Sequence, residues 1–123
     1  MGRRQRQRTR SAGPGAGAPA RPTGEYRDQE AGVLELRCVL GAAARLEYAR
    51  TLAGGLNRED ARQRAIELLF ERLAVSWTIH GLRTDRPREL LGRYRMASQA
   101  ERQFVLEALR EHLAEHFPEM EAP

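Results

Sequence analysis

The sequence predicts an all-α protein, a small four-helix bundle, open to self-association, that carries a disordered arginine-rich N-terminal tail. Three observations predict it. Apolar residues recur at three- and four-residue steps between Asn57 and Gly81 and again after Ser98. Cap-forming residues stand where those periodic stretches begin, and no segment reads as a period-two strand. Residues 1–24 are arginine, glycine, proline and small polar residues, with too little apolar surface to pack.

The first helix is expected from about Asp28 to Leu52, with Val33, Leu34, Leu36, Val39, Leu40, Leu46, Tyr48, Ala49 and Leu52 as its apolar surface. Around CVLGAAA, residues 38–44, it is apolar on nearly every side, which suits a central helix or one buried in an oligomer. Gly41 and the alanines after it would admit a close neighbouring helix, and Gly54 and Gly55 end the segment. The second helix, Asn57 to Gly81, is the best delimited. Asn57 can accept from first-turn amides, Glu59 and Asp60 sit at the positive end of the dipole, and Gly81 suits a left-handed stop.

Along that helix Ala65, Ile66, Leu69, Phe70, Leu73, Trp77 and His80 form the inward stripe, with Asp60, Arg64, Glu67, Glu71 and Thr78 opposite. Trp77 read as core predicts a loss of about 3 to 5 kcal/mol on truncation to Ala. A short third helix starts at Asp85 or Arg86 with Pro87 in its first turn and Leu90, Leu91 and Tyr94 inward. The fourth opens on Ser98 to Glu101, a capping box, buries Phe104, Val105, Ala108, Leu109, Leu113 and Phe117, and stops at Pro118.

The expected organisation is thus a basic tail and linker over residues 1–24, a helical domain over 25–118 and a short tail over 119–123. Its core or interface set is Leu34, Leu40, Leu46, Ile66, Leu69, Phe70, Leu73, Trp77, Leu91, Phe104, Leu109 and Leu113.

Charge is divided unevenly. All 21 basic residues are arginine, the usage of a GC-rich coding sequence, and six of them lie in residues 1–24, where there is no acid. The remaining 15 face 17 acids, so a tail of +6 is attached to a body of −2. One cysteine, Cys38, excludes an internal disulfide and fits a reducing, cytoplasmic setting. No apolar run reaches the length of a membrane span.

Arg3, Arg4, Arg6, Arg8 and Arg10, spaced by Gln and Thr, are the strongest functional signal, because flexible arginines can neutralise phosphates and release counterions. The run resembles, in composition alone, the arginine-rich motifs of RNA-binding viral and phage proteins and the basic signals read by nuclear import. The second resemblance implies a nuclear location for a protein of a eukaryotic virus. Arg83, Arg86, Arg88, Arg93 and Arg95 around Tyr94 form a second basic cluster that could extend a phosphate-binding face, Tyr94 offering a stacking ring. The stretch from Glu89 to Leu109 fits a helix-turn-helix poorly, for its turn lacks a glycine and Arg102 falls where an apolar residue is needed.

His112 and His116 are one helical turn apart, and His80 offers a third imidazole, but a cation at a helix end complements the dipole without any metal. Neither a metal nor a cofactor is expected. Cys38 lies among apolar residues with no histidine near it in sequence, which reads as a small hydrophobe rather than a nucleophile. No nucleophile elbow, phosphate loop or singled-out carboxylate pair is present, so the chain reads as non-enzymatic.

The expected function is that of an accessory protein whose helical domain makes protein contacts, with a partner or with itself, while the tail grips RNA or DNA. The alternative is a structural adaptor acting through helix–helix contacts, its tail serving solubility or localisation. No membrane partner is expected.

Overall fold

The structure, a computed structural model, describes residues 22–123 and, as backbone, Gln5–Gln7. It is α+β, which overturns the all-α helical bundle. Strands β2 (Thr23–Asp28), β3 (Gly32–Arg37), β4 (Ala74–Ile79) and β5 (Leu82–Thr84) form an antiparallel sheet in sequence order, and β1 (Gln5–Gln7) adds to the β2 edge. Helices α1 (Ala42–Ala53) and α2 (Arg58–Leu73) are inserted between β3 and β4, and α3 (Pro87–Arg95) and α4 (Gln99–His116) follow β5.

The expected first helix is therefore a hairpin followed by a helix. Leu34 and Leu36 alternate with Glu35 and Arg37, a period-two pattern whose leucines also fit helical spacing when read inside a longer apolar window. The hairpin is fixed by its turn. Asp28 Oδ2 accepts from the amides of Glu30 and Ala31, and Gly32 follows at φ 87°. A Cβ on Gly32 would lie 2.0 Å from the Thr78 carbonyl oxygen, so the strand crossing beside β4 requires glycine there. Gly41 turns out to be the N-cap of α1 rather than an interior residue, and Gly54 is its C-cap.

The second expected helix starts as read, with Asn57 Oδ1 accepting from the amides of Glu59 and Asp60 at 2.9 and 3.1 Å. It ends at Leu73, and the segment after it, AVSWTI, is strand β4. Its β-branched and aromatic residues favour that pleated, half-buried surface. Gly81 does take left-handed backbone, φ 79°, but as the second residue of a two-residue turn with His80, φ 51°. Ile79 pairs with Leu82 across it, and two central residues of positive φ are what a tight hairpin with matching twist needs.

Helices α3 and α4 lie where their signals put them. Pro87 opens α3, and the capping box of α4 is complete: Ser98 Oγ accepts from the Glu101 amide and the Ser98 amide donates to Glu101 Oε1.

Tyr26, Leu34 and Trp77 are in cross-strand register and form the centre of one sheet face, which α2 and α4 cover. Trp77 is 1% exposed, donates from Nε1 to the Ala31 carbonyl at 2.7 Å and meets Phe70 edge to face. It belongs to the core, as a strand residue. Leu34, Leu40, Ile66, Leu69, Phe70, Leu73, Phe104, Leu109 and Leu113 are buried with it, Leu91 is half-buried, and Leu46 is 52% exposed on the outer side of α1. The opposite sheet face is polar at its centre, where Glu35 accepts from the hydroxyls of Thr23 and Ser76.

Candidate functional site

The second basic cluster is largely neutralised by its own surroundings. Arg83 pairs with Asp85, Arg93 with Glu101 at 2.9 Å, and Arg95 with both carboxylate oxygens of Glu67 at 2.7 and 3.3 Å. Arg93 also lies over the Trp77 ring, 5.2 Å from its centroid, so it helps to close the core. Among the described residues Arg86, at the α3 N-cap, and Arg88 are exposed and show no acidic partner. Tyr94 is 4% exposed and stacks on Phe70 at 5.0 Å, which removes it as a platform for a base. Arg3, Arg4, Arg8 and Arg10 lie outside the described residues, and Arg6 is placed as backbone in β1, opposite Tyr26 in register.

Folding creates a different polar surface between α2, α3 and α4, a groove of about 460 Å³. Arg62, Gln63, Gln99, Arg102 and Gln103 line it over a floor that includes Ile66 and Leu106, and its lining holds no carboxylate. Arg62 reaches Glu59 outside the groove, whereas Arg102 is held by the Arg95 carbonyl at 2.6 Å and lies over Tyr94. The sequence does not single these residues out as a group, because they come from helices some forty residues apart in the chain and only packing brings them together.

The most concentrated chemistry lies at the other end of α4. His112 is fully buried; its Nε2–H donates to the Arg37 carbonyl at 2.6 Å and its Nδ1 accepts from the Tyr26 hydroxyl at 2.7 Å. A carbonyl can only accept, so this pair of partners assigns the Nε2–H tautomer. Burial, reinforced by neighbouring His116, lowers its pKa to about 4, against the opposing pull of the Arg37 carbonyl, and the ring is neutral at pH 7. Cys38, directly after β3, is held by the hydrogen bond its backbone N–H donates to the Pro22 carbonyl and places Sγ 3.6 Å from His116 Nε2.

The rings of His112 and His116 are 4.7 Å apart, and one ligand-type atom from each of Cys38, His112 and His116 lies within 4.8 Å of the others. No histidine is near Cys38 in sequence, yet folding brings one to it: the imidazole comes from 78 residues along the chain. His80 is in the β4–β5 turn and is not a member of this group.

No helix among the described residues is long and apolar enough to cross a membrane. Comparison of the chain with protein-family models, with curated proteins and with solved structures finds no match.

Proposed function

We propose that this is a non-catalytic accessory protein that contacts nucleic acid through its arginine-rich N-terminal segment. The observation that carries the reading is the division of charge, +6 on residues 1–24 against −2 on the rest. Pairing of β1 with β2 ties this segment to the sheet edge. The groove between α2 and α4 adds Arg102 and three glutamines that can take phosphate or sugar contacts, beside Arg62, which is paired with Glu59. In contrast, the cluster around α3 contributes only Arg86 and Arg88, since its other arginines already hold carboxylates.

The test is a titration of the full chain against a short RNA and a short DNA duplex over a series of salt concentrations, beside a variant with Arg3, Arg4, Arg6, Arg8 and Arg10 all changed to Gln. The expected result is tight binding by the natural chain and a log–log salt slope that shrinks in the variant by about 0.9 for each duplex phosphate no longer contacted. Equal affinity and equal slope for the two proteins would overturn the reading.

One observation favours a second reading, that of an adaptor. Ala42, Leu46, Ala49 and Ala53 form an exposed stripe along α1, continued by Val39 at 50% exposure and by Leu56, which is fully exposed. On this reading the stripe seats a helix of another protein, and Leu46→Glu abolishes that association while leaving nucleic-acid binding intact.

A further inference from the structure

We propose that Cys38, His112 and His116 form a binding site for a borderline-soft divalent cation of the zinc type. Three side chains of the right chemistry converge there from the C-terminal end of β3 and from α4, two elements that the sheet and helix packing hold together. The Cys38 Sγ to His116 Nε2 distance of 3.6 Å matches the spacing of two ligands around one tetrahedral ion, given metal–sulfur and metal–nitrogen bonds of about 2.3 and 2.0 Å. His112 and His116 supply the second feature, imidazoles one helical turn apart on the same side of α4 with their rings in contact.

Recruiting His112 costs one of its two present hydrogen bonds, which a metal–imidazole bond replaces. Bound through Nδ1, the ring would keep its Nε2–H bond to the Arg37 carbonyl, the outer partner that ligand histidines commonly have, and the Tyr26 hydroxyl would yield its place. Burial already keeps this imidazole neutral, the form a ligand needs. Cys38 enters as a thiolate: the S–H bond breaks, a sulfur–metal bond forms and the proton leaves to solvent, so affinity rises with pH. Glu115, whose Oε1 is 3.8 Å from His116 Nε2, adds negative charge beside the ion. Three protein ligands leave a fourth position open to water or to Tyr26, and both Cys38 and His116 are half-buried, which leaves the ion a route in.

The experiment is a titration of the chelator-treated, reduced full chain with Co²⁺, followed by absorbance, and then with Zn²⁺ in competition. Expected are a thiolate-to-cobalt charge-transfer band in the near ultraviolet, tetrahedral-type visible bands saturating at one ion per chain, and loss of both on adding Zn²⁺. Cys38→Ser should lose the charge-transfer band, and His116→Asn should weaken binding by at least about tenfold. Both positions are half-buried, and circular dichroism of each variant establishes that it is folded. Absence of the charge-transfer band from the natural chain, or its persistence unchanged in His116→Asn, would overturn the proposal.

Discussion

The arginines around α3 and the Tyr26–His112–Cys38–His116 corner are two polar regions of the same protein, and they differ in how their groups are satisfied. Around α3 the charges are many, and Arg83 and Arg95 are exposed and matched to carboxylates, so each of these pairs works in water and in parallel with the other. In the corner the polar atoms are few, buried and in series: the Tyr26 hydroxyl, both His112 nitrogens and the Arg37 carbonyl each depend on the next. A dense patch of like residues is thus a weaker guide to what a protein can do chemically than a small group drawn from three elements. Charge in water is easily compensated, whereas a buried imidazole must have every partner in place.

The largest expected effect sharpens this contrast. His112→Ala should cost about 3 to 5 kcal/mol in chemical denaturation, through a cavity at the α4–sheet contact and the loss of both hydrogen bonds of the ring. A destabilisation comparable to that of an exposed arginine would break the comparison.

Acid comes next. Because the pKa of His112 is depressed in the fold to about 4 while the unfolded ring titrates near 6.5, the unfolded state binds the extra proton first as pH falls. Stability should therefore be constant with respect to this group above about pH 6.5, decline between about 6.5 and 4 by roughly 3 kcal/mol in total, and stop declining on its account below that. A series of urea melts across that range checks the slope, and His112→Gln should flatten it.

Tyr26→Phe keeps the ring but removes the donor to Nδ1 and should cost about 1 to 3 kcal/mol, read by the same melts. The smallest effect is expected on the other side of the comparison. Arg95→Ala removes a two-pronged but solvent-exposed pair with Glu67 and should leave the melting temperature unchanged within error, the more so at high salt.

What the sequence made legible follows from the range of the signals. The caps at Asn57 and Ser98, the proline that opens α3 and the inward face of α4 are encoded within a few residues, and the structure has them where the sequence places them. The strands are set by pairing at a distance. Leu34–Glu35–Leu36–Arg37 is too short to outvote an apolar surrounding, and Val75 to Ile79 continues the helical spacing of α2 closely enough to pass as its end. His80–Gly81 was read for its glycine as a helix stop, when the same backbone freedom serves a hairpin turn.

Period-two alternation was also present in the arginine-rich segment, where Arg4, Arg6, Arg8 and Arg10 alternate with Gln5, Gln7 and Thr9, and β1 lies within it. The corner was the least legible part: Tyr26 and His112 are 86 residues apart, and no local window joins them. The useful signal was there in part, as two histidines one turn apart on a capped helix. Its third member could be named only once Cys38 was known to follow a strand beside that helix.

The most direct test of the account is the titration of the His112 ring by nuclear magnetic resonance, following its ring nitrogen and carbon shifts with pH in the metal-free protein. The account predicts a midpoint of about 4 and, above it, the shifts of an imidazole protonated on Nε2, held between the Tyr26 hydroxyl and the Arg37 carbonyl. A midpoint near the ordinary histidine value of about 6.5, or the Nδ1–H tautomer, would contradict it.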